Sequence, residues 1–309
     1  MRIKNHALGI TSRKNNFRLL VFLCAFFIVW VKIAFAQTNL DFLAEKINHG
    51  NIEQKRDALF QIRNLETEPA SRIAIPALAD KSEIVRATAA FSVIFLPKDE
   101  ALNILLPLLN DKKELVRREA VYALGKARNP NAINALLQVF QTDKITDVKN
   151  AAIVALGEIG DAAAIAALTS ILQNKPKKEN PADEFLRRSA AHSVGQIAQI
   201  IQTSKTEVRT PESFLPEKFN PIEKPKYPKL AENFPVFRAA LNALIQTLQN
   251  PSEFNDVKRE AAFALGAIGD ASAKNVLQAN LNGEDYYLAE IAAEALRKIS
   301  VCANEKDLE

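Results

Sequence analysis

From about residue 50 onward, one arrangement of apolar and polar positions returns along the chain. In Val116-Arg117-Arg118-Glu119-Ala120-Val121-Tyr122-Ala123-Leu124-Gly125, counting Val116 as position 0, apolar side chains stand at positions 0, 4 and 8. The same frame begins at Gln54, Val85, Val148, Leu186, Val257 and Leu288, with successive spacings of 31, 31, 32, 38, 71 and 31 residues. Position 4 is alanine in all seven (Ala58, Ala89, Ala120, Ala152, Ala190, Ala261, Ala292). Position 8 is always aliphatic (Ile62, Val93, Leu124, Leu156, Val194, Leu265, Leu296). Residues four apart share a helix face, so each frame predicts an amphipathic helix. A second, shorter helical pattern precedes each frame, as over 101–109 and 133–140. A helix pair of this size cannot bury its apolar face alone and must stack on its neighbours. The expected fold is all-α, an α-solenoid (superhelix) of about seven helix pairs.

Glycine placement follows the same frame. Gly125, Gly157, Gly195 and Gly266 occupy position 9, where a missing side chain lets neighbouring helices approach. Gly160 and Gly269 occupy position 12 and end the helix, each followed by an aspartate (Asp161, Asp270) suited to cap the next one. Gly50 and Gly283 fall in the turn before a framed helix. No glycine after residue 36 is left for a phosphate-cradling loop, and no G-x-G-x-x-G or P-loop pattern exists.

The runs from Val148-Lys149 to Gly157-Glu158-Ile159-Gly160-Asp161 and from Val257-Lys258 to Gly266-Ala267-Ile268-Gly269-Asp270 resemble the HEAT family. The likeness is to the short HEAT-like repeats also found in phycobilisome bilin lyases, and it covers about residues 40–300. It implies that the framed helices line the concave side. It also implies a structural ladder between an aspartate five residues before position 0 and a base at position 1. Asp80/Arg86, Asp111/Arg117 and Asp143/Lys149 fit that pattern. In later units Pro181, Ser252 and Gly283 stand in the acid's place, and the pattern lapses.

Two spacings hide insertions. The shorter lies around 174–184 and contains Pro176 and Pro181; the longer, at about 203–233, holds five prolines with Phe214, Phe219 and Tyr227. Five prolines favour an extended course over a helix. That segment reads either as a solvated loop or as a strap anchored beside the groove by its aromatics. The solenoid is expected over 37–303, with 304–309 as a polar C-terminal tail.

Charge changes the picture at the N-terminus. Residues 1–36 carry six bases (Arg2, Lys4, Arg13, Lys14, Arg18, Lys32) and no acid, so the formal +4 of the chain masks an acidic remainder. The basic Arg13–Arg18 stretch, the apolar run Leu19–Val31 and the small-x-small Ala34-Phe35-Ala36 before Gln37 read as a cleavable secretory signal, cut between Ala36 and Gln37. The alternative is an uncleaved membrane anchor, although Lys32 interrupts a run shorter than the roughly 20 apolar residues a span needs. Without residues 1–36 the chain keeps one cysteine, Cys302, so no internal disulfide is expected in the periplasmic or extracellular space.

Candidate chemistry is sparse. His49 and His192 belong to different units, so they suggest no shared metal, and Cys302 lies two units beyond His192. HEAT-like enzymes such as deoxyhypusine hydroxylase use repeated His-Glu dipeptides for iron, and this chain has none. No catalytic, cofactor-binding or metal-ligating residue is expected. On the outward positions −1, 2, 3 and 6 the frames carry four bases and eight acids, the reverse of a nucleic-acid surface.

Position 6 reads Phe60, Phe91, Tyr122, Val154, His192, Phe263 and Glu294, and position −1 adds Ile84, Leu115, Phe185 and Tyr287. Beside them stand Arg118, Arg188 and Arg259. Apolar strips with polar rims mark binding surfaces. Crowded helices could instead bury these rings on one another. The sequence reads as an exported, non-enzymatic scaffold that binds a partner protein or peptide along the concave helix face, with no nucleic acid and no integral membrane span in the mature form. The rivals are an enzyme or lyase on the same solenoid (bilin-lyase-like or carboxylate-metal) and a structural module of an envelope assembly.

Overall fold

The structure is a computed structural model and describes residues 39–174, 181–204 and 230–303. The expected leader with its cleavage site at Ala36 and Gln37, most of the proline-rich insertion, and the C-terminal segment 304–309 lie outside these residues, as does the side chain of Cys302. The chain divides into two units, one ending at Ser92 and one beginning at Val93.

The first unit contains α1 (39–49), α2 (Ile52–Leu65), α3 (Glu68–Ala74) and α4 (Glu83–Ser92). The second contains α5 (Lys98–Leu105), α6 (Glu114–Ala127), α7 (Ile133–Thr142), α8 (Thr146–Ile159), α9 (Ile165–Gln173) and α10 (Pro181–Ser204), and continues with α11 (Leu230–Asn233), α12 (Pro235–Gln249), α13 (Asn255–Ile268), α14 (Lys274–Ala279) and α15 (Tyr286–Ala303). Among the described residues there is no strand, and the fold is an α-solenoid of stacked helix pairs. The seven frames fall on α2, α4, α6, α8, α10, α13 and α15. In the first unit α2 packs on α4; in the second, α6, α8, α10, α13 and α15 pack each on the next.

The frame predicts what is buried. All seven position-4 alanines are 0% exposed, and so are Ile62, Val93, Leu124, Val194 and Leu265 at position 8. Each such aliphatic side chain contributes about 1.5–3 kcal/mol by leaving water. Leu296, at position 8 of the last framed helix, is only partly buried. The outward expectation fails at some positions 2 and 3, where Ala87, Asn150, Ala151 and Ser189 are buried by the neighbouring helices.

Position 9 is where framed helices meet. A Cβ on Gly125 would lie 2.8 Å from Ala155 Cα, and one on Gly266 would lie 2.7 Å from Ala295 Cα. A side chain at either place would push the next helix away. Buried serines at position 7 use the same proximity: Ser92 donates to the Leu59 carbonyl (3.0 Å) and Ser193 to the Ile153 carbonyl (3.0 Å), each on the preceding framed helix.

Position 12 takes the left-handed conformation that stops a helix. Gly160 and Gly269 do so at φ 79° and 76°. Glu66 and Arg128 occupy the same frame position at φ 51° and 50°, without glycine's freedom. Asp161 and Asp270 then cap the next turn as expected, accepting from the Ala163 and Ser272 N–H groups (2.8 and 2.9 Å), and Asn129 does the same for Asn131 (3.0 Å).

Two boundaries differ from expectation. The helix expected over 101–109 is α5 followed by a 3₁₀ turn, Leu106–Asn110, because Pro107 has no N–H for the α ladder. Pro76 has the same effect after α3, in Ile75–Ala79. The insertion expected over 174–184 is shorter, since Pro181 opens α10, where its missing N–H has no partner to lose. At the longer insertion α10 runs to Ser204 and α11 starts at Leu230, whose side chain is 1% exposed.

Candidate functional site

Ion pairs join successive framed helices. The sequence suggests aspartate and base pairing within one unit, but Lys55 and Arg117 reach the aspartate of the next unit. Lys55 Nζ donates to Asp80 Oδ2 at 2.6 Å, while Arg86 donates to the Asp80 and Lys81 backbone carbonyls (2.8 and 3.2 Å). Arg117 donates to both oxygens of Asp143 (2.6 and 3.0 Å) and also to the Asp111 carbonyl (3.0 Å). Burial works to raise the carboxyls of Asp80 and Asp143, but the bonds from Lys55 and from Arg117, with local N–H donors, hold both below the usual aspartate range.

The ladder also continues where the sequence pattern lapses. Arg187, at position 1 of α10, donates to Glu253 Oε1 at 2.6 Å, with both side chains almost fully buried. Arg259 grips Asp285 through two nitrogens (3.0–3.3 Å). Glu253 and Asp285 stand one and two places later than the aspartate of the earlier units, and Arg259 stands at position 2 rather than position 1, which is why the fixed spacing missed them. An acid anywhere in the turn before position 0 is the signal that would have found them.

The residues predicted to bind a partner are all at least partly exposed. In the first unit Phe60 and Ile84 are 39% and 41% exposed, and Phe91 is half-buried. Arg63 lies over both rings, 5.0 Å from the centroid of Phe60 and 5.8 Å from that of Phe91. The structure therefore brings Phe60 and Phe91 together around one guanidinium.

In the second unit Leu115, Arg118, Tyr122, Phe185, Arg188, Arg259 and Phe263 are half-buried, whereas His192 is exposed and Tyr287 is 67% exposed. Arg118 pairs with Glu119 beside it (3.3 Å). Burial raises the phenol of Tyr122, around which the charges of Arg118, Glu119, Asp147 and Glu158 converge. Further along, a network crosses three helices. Arg188 lies over Phe185 (5.3 Å) and reaches Asp256 (3.4 Å); Asp256 also accepts from Arg259 (2.7 Å), which lies over Tyr287 (5.2 Å). The rings are neither core nor isolated: each presents an edge or face to solvent beside a charge.

His192 spans the seam between α10 and α13. Its Nδ1 is 2.9 Å from Glu260 Oε2, and its ring stacks on Phe263 at 5.4 Å. The Glu260 carboxylate raises the imidazole above the usual histidine range, against an opposing effect of burial. His49, on α1, lies 3.9 Å from Glu45 in an exposed i, i+4 pair. Among the described residues no group of three or more His, Cys, Asp or Glu is placed to hold a metal ion, and no helix is long and apolar enough to cross a membrane.

Comparison with known structures returns repeat proteins. The chain is similar to human deoxyhypusine hydroxylase at 18% identity, covering 88% of this chain and 99% of that one, with a TM-score of 0.37. It is similar to the complex of CpcE and CpcF of phycocyanin lyase from Nostoc sp. PCC7120 at 18% identity, covering 87% and 93%, with a TM-score of 0.45. It is also similar to a designed armadillo repeat protein at 16% identity, covering 84% and 99%, with a TM-score of 0.42. No curated relative matches the chain. HEAT repeats are matched three times, over residues 71–156, 105–195 and 232–307. These segments span more than half of the sequence and carry six of the seven frames, so the chain belongs to the HEAT-repeat family.

Proposed function

We propose that the chain is an exported, non-enzymatic scaffold that docks a partner protein or peptide on the outward face of the framed helices of its second unit. One observation carries the reading: no position-6 side chain is buried, although the position-8 residue two places on is buried in six of the seven frames. Rings kept at a solvent boundary beside charges resemble the anchors of protein interfaces more than core packing. The leader pattern in residues 1–36 supports export, and an export route favours a protein partner over nucleic acid.

Capture from the envelope fraction of the source cell tests this, with the full chain and its Tyr122→Ala/Phe263→Ala variant as baits. A docking face predicts loss of one stoichiometric partner with the variant while circular dichroism and melting temperature change little. Retention of the same partner by the variant refutes the face. Intact mass tests export separately: the mature protein begins at Gln37, whereas a mass that includes residues 1–36 in the membrane fraction refutes cleavage.

A further inference from the structure

We infer that the face formed by α6, α8, α10, α13 and α15 takes an extended, basic segment of its partner, one that presents both Lys or Arg and apolar side chains along a single edge. The inference rests on the docking reading above and specifies the chemistry of what docks.

Charge supplies the first argument. At positions −1, 2, 3 and 6 of these five helices stand six carboxylates and three guanidiniums. The three arginines are already matched inside the molecule: Arg118 by Glu119, Arg188 by Asp256, and Arg259 by Asp256 and Asp285. Asp147 and Glu290 are exposed and form no ion pair among the described residues. Glu294 is paired with Arg297 and Lys298, and Glu260 with His192, so the uncompensated negative charge of the face is carried by Asp147 and Glu290. An acidic segment would be repelled, and a purely apolar one would cover carboxylates without pairing them, which costs more than the apolar contact returns.

The order of residues supplies the second. Along position −1 the five helices read Leu115, Asp147, Phe185, Asp256 and Tyr287, an alternation of apolar and acidic side chains from one helix to the next. Such a row complements a ligand edge that mixes apolar groups with cations.

The molecule's own arginines supply the third, because they show how this surface holds a cation. Arg188 sits 5.3 Å from the Phe185 ring centroid and 3.4 Å from Asp256. Arg259 sits 5.2 Å from the Tyr287 centroid and 2.7 Å from Asp256. A ring face beside a carboxylate is a favourable seat for guanidinium or ammonium.

Length follows from the stacking. Five helices about 9 Å apart make a row about 36 Å long, which an extended chain rising about 3.3 Å per residue crosses in about eleven residues.

A random dodecapeptide library displayed on phage, panned against the full chain, tests the proposal. The expected result is enrichment of peptides with net positive charge and interspersed apolar residues. The best of these, fluorescently labelled, should bind at least tenfold more weakly to Asp147→Asn/Glu290→Gln, whose exposed substitutions leave the fold intact by circular dichroism. Its binding should also weaken as salt rises from 50 to 300 mM. Enrichment of acidic or uncharged peptides, no enrichment, or equal binding by the charge-neutralised variant would overturn the inference. If acidic or uncharged peptides are enriched and lost on Tyr122→Ala/Phe263→Ala, the docking face stands and only its basic preference falls.

Discussion

Gly125→Ala puts the stacking argument to a test in which two effects of opposite sign compete. In an isolated helix the change favours folding by up to about 1 kcal/mol, because alanine has less backbone freedom to lose. In this solenoid the new methyl would lie 2.8 Å from Ala155 Cα, 2.9 Å from Ala155 Cβ and 2.9 Å from Glu158 Oε2. Ordinary carbon contacts sit at about 3.5–4.0 Å, so α8 would have to retreat by close to 1 Å. The Cα atom cannot rotate out of the way, and overpacking of this kind costs about 2–3 kcal/mol. The net expectation is a loss of about 1–2 kcal/mol, read as a fall of about 0.5 M in the urea midpoint. Gly283→Ala is the control, since its Cβ would meet nothing nearer than 3.8 Å and its φ is not left-handed. That variant should be neutral or slightly stabilising. If Gly125→Ala raises the midpoint as Gly283→Ala does, close helix approach does not explain position 9.

Three further outcomes follow from the same geometry. Arg128→Gly relieves a left-handed arginine at position 12 and should stabilise the protein by about 1 kcal/mol in the same urea assay. Glu253→Ala leaves Arg187 charged in a nearly dry site and should cost about 3–5 kcal/mol, whereas replacing both with apolar residues should cost far less. His192 has its folded pKa raised above 6.5 by Glu260, so its pairing stabilises fully below that value and is lost as pH rises through the folded pKa. The stability gap between the natural chain and Glu260→Gln should therefore be larger at pH 5.5 than at pH 8.5; a gap that does not change with pH would contradict the pairing.

Much of the architecture can be read from residues close together in the chain. Helix positions, alanines pressed flat at position 4, glycines at positions 9 and 12, and the caps at Asp161 and Asp270 all follow from apolar periodicity and local backbone preference. These are properties of single turns, so the sequence determines them alone. The candidate face is legible as a list of positions, because outward positions of a helix are set by the same period.

Only the tertiary structure decides which side chains meet. Lys55 finds Asp80 and Arg117 finds Asp143 across 25 and 26 residues, while Arg187 finds Glu253 and His192 finds Glu260 across 66 and 68. Which residue opposes which depends on how far one helix slides along the next, and that slide is set by the summed packing of the whole seam. The same packing buries Asn150, Ala151 and Ser189 at positions that a helix considered alone turns outward. It leaves the rings of Tyr122, Phe185 and Phe263 half-exposed for the same reason: periodicity fixes the direction of a side chain, and only the neighbouring helix fixes how much of it water can reach.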